Sequence, residues 1–88
     1  MKVKFFASFV ELTKEKERNF SAPDIKTLLR IMTEHYGQSF NDKLYRNSEL
    51  NPTLVILVNG KHIRHLQGLE TTLLESDEVA FFPMLSGG

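Results

Sequence analysis

The 88-residue chain has no cysteine. That absence excludes disulfides, thiolate metal sites and cysteine nucleophiles together. Any sulfur this protein handles must sit somewhere other than on a side-chain thiol. Tryptophan is missing as well, and the aromatic content rests on seven phenylalanines and two tyrosines. There is no excess of either charge: eleven Lys and Arg residues stand against eleven Asp and Glu. The balance gives no electrostatic case for a nucleic acid or an anionic membrane as partner. No run is apolar enough to span a bilayer, and Met1-Lys2-Val3-Lys4 leads into an alternating segment rather than a signal peptide. A cytoplasmic protein is expected. No nucleophile elbow or glycine-rich phosphate loop organises the serines, histidines and aspartates, which argues against a hydrolase or a nucleotide-binding enzyme. His62 and His65 stand three apart beside a hairpin, without cysteines or clustered acids to complete a metal site. Neither a metal nor a bound cofactor is expected.

What is present suits one folded domain, because an apolar fraction of 41 % and a charged fraction of 25 % are ordinary for a globular chain of this length. Lys2 to Ala7 is a short β run, after which Ala7 to Leu12 turns away from it. Lys16 to Phe20 is a polar second strand, expected at a sheet edge. Ser21-Ala22-Pro23-Asp24 is a helix start, followed by Ile25, Leu28, Leu29, Met32 and Tyr36 at helical spacing and by Gly37 as a C-terminal cap. His35 falls near that helix end, where an imidazole complements the dipole. Phe40 to Arg46 is a second, shorter helix with Phe40, Leu44 and Tyr45 inward, and Asn47 to Pro52 is a loop by composition. Thr53 to Val58 is a strand, Asn59-Gly60 a tight hairpin turn, and Lys61-His62-Ile63 the return. Leu69 to Leu74 is irregular. Val79 to Phe82 forms the last strand, which Pro83 ends because it lacks an N–H.

The order β-β-α-(α)-β-β-β predicts an α+β, ubiquitin-like β-grasp fold. Its mixed sheet of four to five strands would be covered on one face by the helix, with the first and last strands side by side at the centre. Residues 1–83 make up the β-grasp domain and residues 84–88 a flexible C-terminal Gly-Gly tail. Side chains alternate across a strand, so Phe5-Phe6, Phe81-Phe82 and the run Leu54 to Val58 put apolar bulk on both faces. One helix covers one face. The other is expected to carry an apolar patch near the end of the chain, a docking surface for another protein.

Gly87-Gly88 is the feature that carries chemistry. Without a Cβ, the pair can enter a narrow channel in conformations closed to other residues. Its unhindered carboxylate suits attack on the α-phosphate of ATP, giving an acyl-adenylate that a sulfur nucleophile, an amine or a thiol can open. Met84-Leu85-Ser86 is a lead long enough to reach into a partner while the domain stays outside.

Several segments resemble one family, the small subunits of molybdopterin synthase (MoaD-like proteins). They are Phe5-Phe6-Ala7-Ser8-Phe9, Val58-Asn59-Gly60-Lys61-His62-Ile63-Arg64 and Gly68-Leu69-Glu70-Thr71-Thr72-Leu73. Asp77-Glu78-Val79-Ala80-Phe81-Phe82-Pro83 and Ser86-Gly87-Gly88 continue the likeness. The resemblance implies that Gly88 is adenylated by an E1-like adenylyltransferase, which uses the ATP, and converted to a thiocarboxylate. The thiocarboxylate would then donate sulfur inside the large subunit of molybdopterin synthase, with catalysis residing in the partners. By position, Gly87 is the slim neighbour of the carrier residue. Phe6, Phe81, Phe82, Pro83, Met84, Leu85 and Ser86 are the residues expected at the partner. The chain departs from the family pattern at Met84-Leu85, where a second proline and a small apolar residue are usual, and at Ser76-Asp77, where Gly-Asp is usual. A ubiquitin-like modifier joined through Gly88 to lysines, as in archaeal relatives, remains an alternative. So does a β-grasp interaction module whose Gly-Gly is incidental.

Overall fold

A computed structural model describes residues 1–83. Alternation in Lys2–Phe5 (β1) sends Val3 and Phe5 inward, and Glu17–Asn19 (β2) pairs with it antiparallel at the sheet edge. Between them Ser8–Thr13 forms a short helix (α1), where the sequence suggested only a turn. Burial decides the matter: Phe9 is fully enclosed, and Thr13 Oγ1 donates back to the Phe9 carbonyl at 2.8 Å.

Ile25–Tyr36 (α2) is the main helix, and its ends follow the expected chemistry. Asp24 Oδ1 accepts the N–H of Thr27 at 2.8 Å, and the N–H of Gly37 reaches the Thr33 carbonyl at 2.8 Å. Gly37 has φ +96°, a region favouring glycine. Gln38–Leu44 (α3) follows, burying Phe40 and Leu44. Tyr45 is only half-buried, because it belongs to a small hairpin of Tyr45–Arg46 (β3) and Glu49–Leu50 (β4) that composition alone presented as loop.

Val55–Val58 (β5) turns at Asn59-Gly60, with φ +51° and +85°, into Lys61–His62 (β6). Positive φ at both turn positions is what this dipeptide offers a two-residue hairpin. Short 3₁₀ turns at Ile63–His65 and Gly68–Glu70 precede Glu78–Phe82 (β7). The sheet order is β2-β1-β7-β5-β6, with β1 and β7 parallel and the other pairs antiparallel. This is a mixed five-stranded sheet with α2 on one face, and β1 and β7 lie adjacent within it as expected.

Val3, Phe5, Ile56, Val58, Val79 and Phe81 meet Ile25, Leu28, Leu29 and Met32 of α2 in the core. Phe81 lies within 6.4 Å, centroid to centroid, of Phe5, Phe9 and Phe40. The hairpin tip is fastened to β7 by Asn59. Its Oδ1 accepts the Glu78 N–H at 3.0 Å, and its Nδ2 donates to Asp77 at 2.9 Å.

Three carboxylates are held below their ordinary pKa values by what they accept. Asp77 takes the Leu74 N–H and the Asn59 amide, and Asp24 takes the Thr27 N–H. Glu15 takes the Arg18 guanidinium at 2.9 and 3.0 Å and the Tyr36 hydroxyl at 2.7 Å. Each contributes stability that is complete above its ordinary value, 4.5 for Glu15 and 3.8 for Asp24 and Asp77. That stability is lost as pH falls through those values toward the lowered ones, since the unfolded chain takes up the proton first. Urea-unfolding midpoints measured against pH are therefore expected to fall below about pH 4.5, and Asp77→Asn should remove part of that fall.

Candidate functional site

The strand that packs the core is also the last one in the chain, ending just before Pro83. β7 puts Val79 and Phe81 inward, so Glu78, Ala80 and Phe82 face the other way. Pairing extends past β1, where the Phe6 N–H donates to the Phe81 carbonyl at 3.1 Å. Phe6 and Phe82 thereby come together on the outer face, rings 4.3 Å apart and 8° from parallel. Register places Val55 opposite Phe82 and Leu57 opposite Ala80. The result is an apolar patch on the face away from α2, at the end of β7 where the chain leaves the sheet. Phe6 is 38 % exposed there, which is unusual for so large a side chain held by a strand pair.

Polarity changes along this face. At the opposite end of the strands Lys4 approaches Glu78 at 3.4 Å and Lys2 approaches Glu17 at 3.9 Å, both pairs being exposed. They neutralise one another and contribute little to stability. Beyond Leu57 the face ends on His62, its cross-strand partner.

A backbone constraint fixes the patch. Ala7 has φ +53° and ψ −129°, a conformation that costs an L residue energy. It lets the chain leave β1 with Phe6 outward and re-enter as α1 with Phe9 in the core. Beside it, Ser8 Oγ is buried without a hydrogen-bond partner among the described residues.

The expected partner residues divide. Phe6 and Phe82 lie together on the outer face, and Pro83 follows them half-buried. Phe81 does not join them: it is 0 % exposed, wedged among Phe5, Phe9 and Phe40, and cannot touch a partner while the core is intact. Its assignment to the docking surface is corrected here. Met84, Leu85, Ser86, Gly87 and Gly88 lie outside the described residues. The structure adds Val55, Leu57 and Ala80 to the patch. Their place depends on register with β7, which the sequence pattern does not contain. Among the described residues there is no group of three or more His, Cys, Asp or Glu arranged to hold a metal ion, and no helix long and apolar enough to cross a membrane.

Comparison with known proteins adds to this geometry. The sequence profile of the ThiS family matches residues 3–88. A putative sulfur carrier protein of Archaeoglobus fulgidus is 34 % identical over 64 residues, 73 % of either chain. Small archaeal modifier protein 3 of Haloferax volcanii is 31 % identical over 91 aligned residues, covering 100 % of this chain and 98 % of that one. The solution structure of small archaeal modifier protein 1 from Methanosarcina acetivorans superposes with a TM-score of 0.88 at 34 % identity, over 99 % of this chain and 94 % of the other.

The two faces are separable by mutation. Phe81→Ala is expected to cost about 3–5 kcal/mol in chemical denaturation, as for a fully enclosed phenylalanine. Phe6→Ser and Phe82→Ser should each cost no more than roughly 1 kcal/mol, the loss of one exposed ring contact.

Proposed function

The chain belongs to the ThiS family, a group of ubiquitin-like β-grasp proteins, and on that premise we propose that it is a sulfur carrier charged at the carboxylate of Gly88. The observation that carries this reading is the extent of the family match, which runs over residues 3–88 and so takes in Gly87-Gly88. The likeness to a putative sulfur carrier protein supports it. An E1-like adenylyltransferase would bring one carboxylate oxygen onto the α-phosphate of ATP. Pyrophosphate leaves, and the acyl-adenylate formed is opened by hydrosulfide from a sulfur donor, which displaces AMP and leaves a thiocarboxylate at Gly88. ATP enters with the partner, and the chain serves as co-substrate rather than catalyst.

Covalent geometry connects this chemistry to the outer face. The chain runs five residues past Pro83, and five residues span at most about 17 Å when extended. An enzyme acting on Gly88 must bring its centre within that radius. Its body would then lie against the end of β7, where Phe6, Phe82 and Val55 offer apolar area to desolvate. Met84, Leu85 and Ser86 would line the way in. In the finer reading, the charged chain enters the large subunit of molybdopterin synthase as its small subunit and gives up sulfur to the molybdopterin precursor.

A second reading has its own support. The modifier proteins of Haloferax and Methanosarcina are 31 % and 34 % identical to this chain over nearly all of it. As a protein modifier the chain would undergo the same adenylation, and a lysine amine rather than sulfur would finally take the acyl group.

Incubation with an E1-like enzyme, ATP and a sulfur donor should yield a protein heavier by the difference between sulfur and oxygen at Gly88, read by intact mass spectrometry. Removing Gly88 should abolish that product while leaving the unfolding midpoint unchanged. Peptides bearing Gly88 on lysines of other proteins would favour the modifier reading. An unchanged phenotype on loss of Gly88 would defeat both in favour of a plain interaction module.

A further inference from the structure

The sheet edge opposite β2 is held by very little. β6 has two residues, Lys61 and His62, and runs directly into the 3₁₀ turn Ile63–His65. That turn matters to the core, because Ile63 is 3 % exposed and its carbonyl accepts the Leu66 N–H at 2.9 Å. Its first N–H groups need partners that the short strand does not supply. One comes from a side chain: His62 Nδ1 accepts the backbone N–H of Arg64 at 3.0 Å. Arg64 in turn extends Nη2 to the Pro52 carbonyl at 3.0 Å, fastening the segment that leads into β5.

We infer that His62 is a proton-sensitive latch on this edge: its bare Nδ1 holds the Arg64 N–H, and a proton arriving there releases the turn and the arm it positions. An imidazole nitrogen accepts a hydrogen bond only while it carries no proton, so the neutral ring must keep its hydrogen on Nε2. The Leu54 carbonyl on that segment favours the charged ring, and β5 otherwise presents apolar Leu57. Protonation sets one N–H against another. Partial burial, the Arg64 guanidinium and His65, whose ring centroid is 6.4 Å away, all disfavour the cation and hold the His62 pKa below its ordinary 6.5.

The sign follows from which state takes the proton first. The unfolded chain protonates His62 near 6.5 and the folded chain lower, so the stabilisation is complete above that value and is lost as pH falls from it toward the lowered one. This window opens at a higher pH than the one in which Glu15, Asp24 and Asp77 begin to fail. Acid also places a positive charge beside Leu57, at the rim of the outer apolar patch. That last consequence rests on the docking proposed above, whereas the latch itself does not.

Ring ¹⁵N shifts and backbone amides of the full chain, followed by NMR from pH 8 to pH 5, test the latch without any partner. At pH 8, Nδ1 of His62 should be unprotonated and Nε2 protonated. Through the His62 midpoint the Arg64 amide should lose protection by about fivefold, while Val79 and Phe81 amides stay protected. His62→Asn places Oδ1 where Nδ1 stood and does not titrate, so its Arg64 amide should remain protected at both ends of the range. A hydrogen on Nδ1 at pH 8, an Arg64 amide indifferent to the His62 titration, or loss of Val79 and Phe81 protection at the same midpoint would each overturn the inference.

Discussion

Parallel pairing of β1 with β7 joins the beginning of the chain to its end, Lys2 against Glu78 through Phe5 against Phe81. Closing so long a loop is the costliest step in chain entropy, and nothing local repays it. It is repaid by what the pairing assembles. With β1 and β7 adjacent, β2 has one free side to join and β5 the other, and α2 must cross the face that Val3, Phe5, Val79 and Phe81 share. Phe81 sits where these constraints converge, in contact with aromatic rings from β1, α1 and α3.

The same pairing generates the outer patch. Phe5 and Phe81 are cross-strand partners on the inside, and Phe6 and Phe82, one residue further on, stack on the outside. Core and outer apolar patch are therefore two sides of one hydrogen-bonded ladder. A partner that grips Phe6 and Phe82 grips the most firmly held strands of the protein, and whatever follows Pro83 departs from a rigid base.

Much of this could be read from the sequence because the signals were local. Asp24 before Ile25, Leu28, Leu29 and Met32, with Gly37 after Tyr36, defines α2, and Asn59-Gly60 defines the β5–β6 hairpin. Three features needed non-local information. The α1 segment, Ser-Phe-Val-Glu-Leu-Thr, has two β-branched residues and too few turns for helical periodicity to register; burial of Phe9 and the unusual backbone of Ala7 impose the helix. The β3–β4 turn uses Asn47 and Ser48 at φ +53° and +68°, and serine in the second place disguises a turn that glycine would have announced. Alternation required one of Phe81 and Phe82 to face inward but could not say which, because parity follows from register with β1 and β5.

The position of β7 also has a mechanical consequence. It lies between a parallel and an antiparallel neighbour, and its ladder bonds run across the strand axis. Tension applied beyond Pro83 and directed along β7 loads both ladders in shear, so their bonds share the force and must rupture together rather than peel one at a time. A machine that draws this chain in by its C-terminal end therefore meets the strongest direction of the fold first, whereas one that pulls on the short edge strand β6 meets two residue pairs.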